Sequence, residues 1–285
     1  MIVTDSTKQI LTPTSIALGN FDGIHRGHQK VLERVFEQSN NPETGYIYPT
    51  VVSFSPHPRE FFTGKKLQLL TTIEEKSQQL DKLGIQQLVL LPFDRELASL
   101  SPQQFVEKII VRQLQAKYIS VGEDFCFGFQ RKGTALDLKA IASDFGVKVY
   151  INTLYKVDRS NTENLRISSS LIRQGLQAGE IEQVNFMLGR AYSLTGKVVK
   201  GQQLGRTIGF PTANLQIPPE KLLPRYGVYA VEVLLEEKIN ARPIQGVMNI
   251  GCRPTVSGND LTVEVHLLNW SGNLYERRIR VNLQR

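Results

Sequence analysis

The chain has 285 residues, of which 41% are hydrophobic and 21% charged, so its length and composition predict roughly two globular domains with buried cores. Its 34 Lys and Arg residues exceed 27 Asp and Glu and give a formal net charge of +7, but this excess is dispersed, which argues against a nucleic-acid partner. Since it has no apolar run near the ~20 residues that cross a bilayer, no signal pattern and only two distant cysteines, Cys126 and Cys252, we expect a reduced, soluble, cytoplasmic protein without a membrane partner.

The first half of the chain alternates apolar runs with amphipathic segments. The predicted strands are Ser15–Gly19, Val51–Phe54, Leu88–Leu91, Tyr118–Gly122 and Val147–Asn152. The predicted helices are His28–Gln38, a segment from a capping box of Thr71 and Glu74 to Gly84, a segment that begins at Ser101-Pro102, and Ala135–Phe145. This alternation predicts a parallel α/β sheet with helices on both faces.

The sequence pattern changes near residue 187. Two short helices are expected between Ser168 and Leu188, with a break at Gly179. Beyond Gly189 no helix is predicted, and the alternating segments are Tyr192–Lys200, Gly227–Leu235, Gln245–Gly251 and Thr262–Leu268. Because closely spaced strands without helices are typical of a small β-barrel, we divide the chain into domains 1–186 and 187–285.

The segment from Gly19 to His28 joins the first predicted strand to the first predicted helix. Free backbone N–H groups at such a helix start favour a phosphate, and Gly27 lacks a Cβ where a ligand could approach. His25 and His28 lie one helical turn apart and could donate hydrogen bonds to a phosphorus centre that gains charge. The alternatives are an ordinary turn with two exposed histidines, and a metal site of His25, His28 and Asp22.

A second candidate phosphate site lies at the start of the helix near residue 168. The hydroxyls of Ser168 and Ser169, with Arg173 one turn later, could form a clamp for a departing pyrophosphate. Simple N-capping by either serine is the alternative, and both roles are compatible.

The segment from residue 201 to residue 214 is rich in glycine but is not a P-loop, since no Gly-Lys-Ser/Thr follows. We expect a flap whose N–H groups hold phosphates, with three glycines and one basic residue: Gly201, Gly205, Arg206 and Gly209. Thr212 and Asn214 should point to the same side of an extended segment and offer hard oxygen ligands to Mg²⁺. The alternative is a glycine-rich hairpin loop.

Glu264 and His266 alternate with Val263 and Val265 in the last predicted strand. An inward carboxylate in a barrel, near a nucleotide, is a candidate general base for phosphoryl transfer to an alcohol. The alternative for Glu264 is a solvent-facing strand residue.

The ten residues Gly19-Asn-Phe-Asp-Gly-Ile-His-Arg-Gly-His28 resemble the HxGH signature of the nucleotidyltransferase superfamily. In this form they are similar to the bifunctional prokaryotic riboflavin kinase/FAD synthetase family. The chain also resembles that family, in the same order, at the segments Ser53–Pro58, Val121–Gly128, Ile167–Arg173, Gly201–Asn214, Asn249–Thr255 and Glu264–His266.

The resemblance implies a Rossmann-like nucleotidyltransferase domain followed by a riboflavin-kinase-like β-barrel. The barrel would phosphorylate riboflavin with ATP and Mg²⁺ to give FMN, and the first domain would join FMN to the AMP part of ATP, giving FAD and pyrophosphate. Family members continue beyond the segment Tyr275–Gln284 into a C-terminal helix, whereas this sequence stops at Arg285, so we expect the barrel to lack that helix.

The resemblance also implies roles for individual residues. The catalytic set is His25, His28, Arg173 and Glu264. The ATP and phosphate set is Gly19, Phe21, Gly27, Gly122, Asp124, Ser168, Ser169, Gly201, Gly205, Arg206 and Gly209. The flavin set is Ser55, Pro56, His57, Phe125 and His266. The metal set is Thr212 and Asn214.

Three other functions remain to be weighed against this one. They are an adenylyltransferase with an impaired, shortened kinase, a non-catalytic flavin-binding protein, and an RNA-directed HxGH enzyme. The intact histidine, Ser-Ser/Arg and Thr/Asn/Glu sets oppose the second, and the lack of basic clusters opposes the third. The oligomeric state is left open.

Overall fold

The protein is described from a computed structural model that covers residues 1–39, 45–153, 156–159, 162–200, 211–235, 242–255 and 258–285. The chain divides into two compact units, Met1–Ser168 and Ser169–Arg285. In the part of the chain that is described, no helix has both the length and the apolar character needed to cross a membrane.

The first unit is built on a six-stranded parallel sheet. The strands of this unit are β1 (Ile2–Thr4), β2 (Thr14–Leu18), β3 (Tyr48–Ser55), β4 (Gln87–Pro92), β5 (Ala116–Gly122), β6 (Cys126–Phe127), β7 (Gly133–Thr134), β8 (Lys148–Asn152), β9 (Lys156–Arg159) and β10 (Thr162–Arg166). The order in the sheet is β1-β4-β3-β2-β5-β8, and every neighbouring pair is parallel. The short strands β6–β7 and β9–β10 form two separate antiparallel ribbons. The predicted parallel sheet is therefore confirmed.

Helices connect these strands. They are α1 (Arg26–Ser39), α2 (Pro58–Thr63), α3 (Ile73–Lys82), α4 (Arg95–Ser99), α5 (Pro102–Phe105), which continues as a π-helix (Val106–Gln113), and α6 (Ala135–Ser143). Short 3₁₀ turns occur at Thr7–Gln9 and Phe129–Arg131.

The capping box of α3 lies one residue later than predicted. Thr72 Oγ1 accepts the N–H of Glu75 at 3.2 Å, and the Glu75 carboxylate accepts the N–H of Thr72 at 3.1 Å. The predicted pair, Thr71 with Glu74, was wrong because the hydroxyl of Thr71 accepts a hydrogen bond from Gly23 instead, at 3.0 Å. The side chain of Thr71 thus binds the loop before α1, and the side chain of Thr72 caps α3.

The core of the first unit lies on both faces of the sheet. Ile16 and Leu18 of β2 belong to one buried cluster, together with Leu138 of α6. Ala17, between them, belongs to a second cluster with Leu32 of α1. Because successive strand residues point to opposite faces, helices cover both sides of the sheet, as predicted.

The second unit begins with a helical hairpin that leads into a barrel. Its elements are α7 (Ser169–Ala178), α8 (Ile181–Leu188), β11 (Tyr192–Val199), β12 (Ala213–Gln216), β13 (Gly227–Leu235), β14 (Ile244–Thr255), β15 (Gly258–Leu267) and β16 (Arg278–Leu283). The barrel closes in the order β11-β12-β15-β14-β13-β16, with antiparallel neighbours. Within the described residues no helix follows Gly189, and the predicted β-barrel is confirmed.

Helices α7 and α8 pack closely against each other, and α8 is tied to the barrel. A Cβ added to Gly175 would lie 2.9 Å from the side chain of Val184, so only glycine permits this approach. The side chain of Asn185 donates to the carbonyl of Leu283 at 2.8 Å and accepts the N–H of Tyr192 at 2.7 Å. The two helices therefore belong structurally with the barrel unit.

Candidate functional sites

The loop between β2 and α1 carries the first candidate site, at the carboxyl edge of the sheet. Two non-glycine residues, Phe21 and Ile24, have positive φ values of 47° and 39°, and Gly23 between them has a φ of 86°. Such backbone strain persists only where the surrounding structure holds it, and it clusters at functional sites. Gly19 lies close to the ring of Phe21, since a Cβ there would lie 3.3 Å from that ring and the ring would have to shift slightly. Gly27 follows in the first turn of α1.

The structure brings His25 and His28 together. Their rings stack with centroids 3.6 Å apart and an interplanar angle of 14°, and the ring of Phe21 lies 5.2 Å from that of His28. Nδ1 of buried His25 accepts the backbone N–H of His28 at 3.2 Å, so His25 caps the start of α1. Because Nδ1 accepts in this bond, the ring proton of His25 resides on Nε2.

The geometry does not favour a metal site of His25, His28 and Asp22. The carboxylate of Asp22 accepts the N–H groups of Leu70 and Thr71 at 2.9 and 3.2 Å. Among the described residues, no group of three or more His, Cys, Asp or Glu side chains could hold a metal ion. Asp22 thus connects the loop to the segment before α3.

The predicted flavin loop follows β3, the neighbour of β2 in the sheet. We call the segment Gly19–His28, which follows β2, the histidine loop. Ser55 ends β3, Pro56 is exposed, and His57 caps α2 by accepting the N–H of Arg59 at Nδ1 (3.0 Å). The carboxylate of Glu60 accepts the N–H of His57 at 3.1 Å and completes the cap. His57 and Glu60 therefore form a capping box, which fixes the end of the flavin loop to the first turn of α2.

Four phenylalanines next to this loop form a group that the sequence analysis missed. We call Phe54, Phe61, Phe62 and Phe93 the phenylalanine group. Neighbouring rings in it meet edge to face, with centroids between 5.2 and 5.8 Å apart. The side chain of Phe62 is 70% exposed. The available signal was the adjacent pair Phe61-Phe62 in a short helix, since exposed aromatic groups often bind ring-shaped ligands.

The predicted nucleotide residues Gly122 and Asp124 lie at the end of β5 and in the turn that follows it. The side chain of Asp124 folds back over Gly122, where a Cβ would lie 2.9 Å from a carboxylate oxygen. The guanidinium of Arg166, a residue the sequence analysis did not single out, forms an ion pair with Asp124. Phe125, predicted for the flavin, stacks on Phe127 with centroids 5.8 Å apart. Arg166 thus joins this segment to the residues immediately before Ser168.

The predicted pyrophosphate clamp lies at the start of α7. Ser169 is the first residue of the helix, Ser168 precedes it, and Arg173 follows within the same helix and is half-buried. Ile172, beside Arg173, is fully buried and fixes which side of α7 faces the core. The structure thus gathers the two serines and the arginine at one helix start.

The predicted kinase residues meet on the outer wall of the barrel. Asn214 of β12 and Glu264 of β15 are direct partners in the antiparallel register. Val263 and Val265 are 4% and 0% exposed and fill the barrel interior. The expectation of an inward Glu264 was therefore wrong, because the narrow interior is filled by aliphatic side chains and the alternating residues point outward.

His266 connects β15 to the segment before β12. Its Nδ1 lies 2.9 Å from the carbonyl oxygen of Pro211, and since a carbonyl can only accept, Nδ1 donates. Thr212 follows Pro211 directly and is half-buried. On the opposite side of β15, Asn249 of β14 is the register partner of Glu264. The outer row is thus Asn214, Glu264 and Asn249, and the last of these was not predicted as a site residue.

A cavity of about 590 Å³ opens beside Thr212. It is lined by residues from the end of β11, the start of β12 and the connection from β15 to β16: Val198, Pro211, Thr212, Ala213, Leu267, Trp270, Ser271, Gly272, Asn273, Leu274 and Tyr275. The predicted flap residues Gly201, Gly205, Arg206 and Gly209 lie outside the described residues.

Comparisons with known proteins cover both units. The FAD synthetase family model matches residues 7–171, and the riboflavin kinase family model matches residues 188–285. The bifunctional riboflavin kinase/FMN adenylyltransferase of Escherichia coli (strain K12) is 37% identical over 271 residues, which cover 95% of this chain and 83% of that protein. The protein of the same name from Haemophilus influenzae is 35% identical over 277 residues, covering 97% and 86%. A solved structure from Streptococcus pneumoniae, described as a macrolide-efflux protein, has a TM-score of 0.84 and 29% identity over 99% of this chain and 89% of that one.

Proposed function

The chain belongs to the family of bifunctional riboflavin kinase/FMN adenylyltransferases, and from that premise we propose how its residues divide the two reactions. It is an enzyme of flavin nucleotide synthesis that phosphorylates riboflavin to FMN and adenylylates FMN to FAD. We propose residues 1–186 as the adenylyltransferase domain and residues 187–285 as the kinase domain, both acting in the cytoplasm. The observation that carries the function is the match of two enzymatic family models to consecutive parts of one chain.

In adenylyl transfer, a phosphate oxygen of FMN attacks the α-phosphorus of ATP. The bond from this phosphorus to the bridging oxygen breaks, and pyrophosphate leaves with that oxygen. Hydrogen-bond donors that meet the growing negative charge lower the barrier. We infer that His25 and His28 supply such donors, and the His25 cap supports this, because it keeps the ring proton of His25 on Nε2.

The phosphates of ATP need further partners. Backbone N–H groups of the loop from Gly19 to Gly27, at the start of α1, suit an anion. We propose that Ser168, Ser169 and Arg173 hold the departing pyrophosphate, with the planar guanidinium of Arg173 bonding two oxygens at once. Asp124, held by Arg166, would then contact the nucleoside rather than the phosphates, since a carboxylate repels them.

The flavin of FMN requires an apolar, flat surface. We propose that the phenylalanine group provides it, because exposed aromatic rings stack on planar heterocycles. The capped loop of Ser55, Pro56 and His57 would fix the edge of the ring, and Phe125 would close the opposite side. Support comes from the exposure of Phe62 and from the rigid cap at His57.

In the kinase reaction, the terminal hydroxyl of the riboflavin side chain attacks the γ-phosphorus of ATP, and ADP leaves. We propose that the carboxylate of Glu264 accepts the proton that this hydroxyl loses. His266, fixed by its bond to Pro211, would face the flavin.

Mg²⁺ fits the same corner of the barrel. The hydroxyl of Thr212 and the amide oxygen of Asn214 are hard oxygen donors, and Mg²⁺ takes few protein ligands when phosphates and water supply the others. When bound, the ion would neutralise part of the negative charge on the phosphates.

We propose that the cavity beside Thr212 binds the adenine ring of ATP. Its volume lies within the range of about 300–1,000 Å³ that small-molecule sites occupy. Trp270 and Tyr275 offer aromatic faces, while Val198 and Pro211 line the cavity next to Thr212. A ring held here would place its phosphates toward Thr212.

The experiment that tests the function uses the purified full chain. Incubation with riboflavin, ATP and Mg²⁺, followed by chromatographic separation of flavins, should yield FMN and FAD. FMN supplied in place of riboflavin should yield FAD alone. FAD from FMN without any FMN from riboflavin would favour the alternative of an adenylyltransferase with an impaired kinase, and neither product would favour a non-catalytic flavin-binding protein.

A further inference from the structure

Lys76 is a buried lysine beneath the histidine loop. It lies in α3 and is 8% exposed, although lysines are rarely buried unless paired. Its Nζ donates to the carbonyl of Asn20 at 2.8 Å and lies 3.5 Å from the hydroxyl of Ser53, which itself donates to the same carbonyl at 3.2 Å. The ammonium therefore contacts the loop and the end of β3, and it does not face solvent.

Three further hydrogen bonds join the same loop to the residues just before α3. Asp22 accepts the N–H groups of Leu70 and Thr71, and the hydroxyl of Thr71 accepts the N–H of Gly23. Together with Lys76, they fasten three positions of the loop, at residues 20, 22 and 23. The strained residues Phe21 and Ile24 directly adjoin these positions, so the anchors and the strain occupy the same short segment.

Strained conformations of this kind are unfavourable, persist only where the surrounding structure holds them, and relax when that structure loosens. Lys76 is the anchor nearest to β2, where the loop begins. Removal of its bond would leave the carbonyl of Asn20 held by the more distant hydroxyl of Ser53 alone. Asn20 precedes Phe21, whose ring packs against His28. A shift there would displace His28 relative to a bound nucleotide.

We propose that Lys76 is a positioning residue for adenylyl transfer, which acts by fixing the loop that carries His25 and His28; this rests on the proposed function of that loop. The bond of Nζ to a main-chain carbonyl argues against a direct role on a phosphate, because the donor is turned toward the protein. Burial lowers the pKa of Lys76, and nearby Asp22 opposes this effect. Burial of the charge of this lysine is therefore unfavourable. A side chain that only packed against its neighbours would not need this charge, so the lysine is better explained by the hydrogen bonds of its ammonium group.

The test compares Lys76→Met with Lys82→Met in the full chain. Methionine keeps the unbranched stem of the side chain and removes the donor. Lys82 is an exposed lysine at the end of the same helix. FMN adenylylation is measured at varied ATP and FMN, riboflavin phosphorylation serves as the internal control, and hydrogen exchange is followed in peptides that cover residues 19–28.

We expect Lys76→Met to lower the kcat of adenylylation by roughly 10²-fold, since small displacements of reacting groups have effects of this size. The KM for ATP should rise, the KM for FMN should not change, and exchange in residues 19–28 should accelerate. A smaller fraction of folded protein would lower the apparent kcat and leave both KM values as they were. Lys82→Met should match the parent in every measurement.

The proposal is overturned if Lys76→Met keeps the adenylylation kinetics of the parent, or if both activities fall together with faster exchange throughout the first unit. Absence of FAD formation by the unmutated protein would instead refute the proposed function. In that case the exchange rate of residues 19–28 alone decides whether Lys76 anchors the loop.

Discussion

Asn214 and Glu264 are direct partners across the antiparallel strands β12 and β15, on the outer wall of the barrel. Asn249 is the partner of Glu264 on the other side, so one row of the sheet carries three polar side chains above an aliphatic interior. Cross-strand partners have Cβ atoms about 4.5–5.5 Å apart. The proposed metal ligand Asn214 and the proposed proton acceptor Glu264 could therefore serve the same phosphoryl group from neighbouring strands.

Replacement of Glu264 by glutamine should slow riboflavin phosphorylation by roughly 10²-fold or more, because the amide keeps the shape of the side chain but cannot accept the proton. ATP binding, measured by calorimetry, should not change. Glu232→Gln, on the outer face of β13, is the matched control and should leave the rate as it is. A Glu264→Gln enzyme as fast as the parent would mean that another group is the base.

Thr212→Ala and Asn214→Ala should also slow the kinase, but through the metal. If these side chains ligate Mg²⁺, the loss should be partly recovered when the magnesium concentration is raised, since mass action then restores occupancy. The kinase rate is measured over a magnesium titration. Gln216→Ala, two residues further along β12 and exposed, should show the magnesium dependence of the parent. A loss that no magnesium concentration relieves would contradict the assignment.

His28→Ala should stop FAD formation while FMN accumulates from riboflavin. Loss of one transition-state donor costs on the order of 10²–10³ in rate, and the kinase residues lie in the other unit. Chromatography of the flavins from a single incubation reports both activities. Glu33→Ala, at an exposed position of the same helix, should not affect either. If a folded His28→Ala protein lost both activities, the two-site assignment would be wrong.

Much of this fold follows from hydrophobic periodicity. The central strands of the sheet and the long strands of the barrel have five or more residues, enough to show alternation or a continuous apolar run. The strands β1 and β12, of three and four residues, are too short to show a period and were missed. The capping box was displaced by one residue because Thr71 and Thr72 are chemically alike, and only the contact with Gly23 distinguishes them.

The sites were less predictable than the elements that carry them. The alternation of polar and apolar residues in β15 places Glu264 and Val265 on opposite faces of the strand. It does not say which face lines the interior of the barrel, because that depends on how the barrel closes. Lys76 lies on an amphipathic helix in a position that sequence reasoning assigns to solvent. Its burial depends on a loop more than fifty residues earlier, and no local pattern reports such a contact.

Arg173 should act as a guanidinium rather than as a positive charge alone. If it bonds two phosphate oxygens, Arg173→Lys should keep the charge and still lose much of the adenylyl transfer, because an ammonium cannot reproduce the planar pair of bonds. Initial rates of FAD formation from FMN measure this. Gln174→Ala, the exposed neighbour on α7, should behave as the parent. An unaffected lysine variant would assign Arg173 to the helix surface.

The lowered pKa of Lys76 predicts an unusual pH dependence of stability. Burial is the main cause of the shift, so the folded protein releases this proton at a lower pH than the unfolded chain does, whose lysine pKa is about 10.5. Between these two values the unfolded state binds more protons, and the free energy of unfolding therefore rises with pH.

Urea denaturation at a series of alkaline pH values should show the stability of the parent increasing relative to that of Lys76→Met. The difference should be constant at lower pH, where both states of the parent are protonated. Lys82→Met, which replaces an exposed lysine of the same helix, is the control and should keep the slope of the parent. Equal slopes for the parent and Lys76→Met would mean that the lysine is solvated in solution, and the anchors of the histidine loop would then have to be sought in Asp22, Thr71 and Ser53.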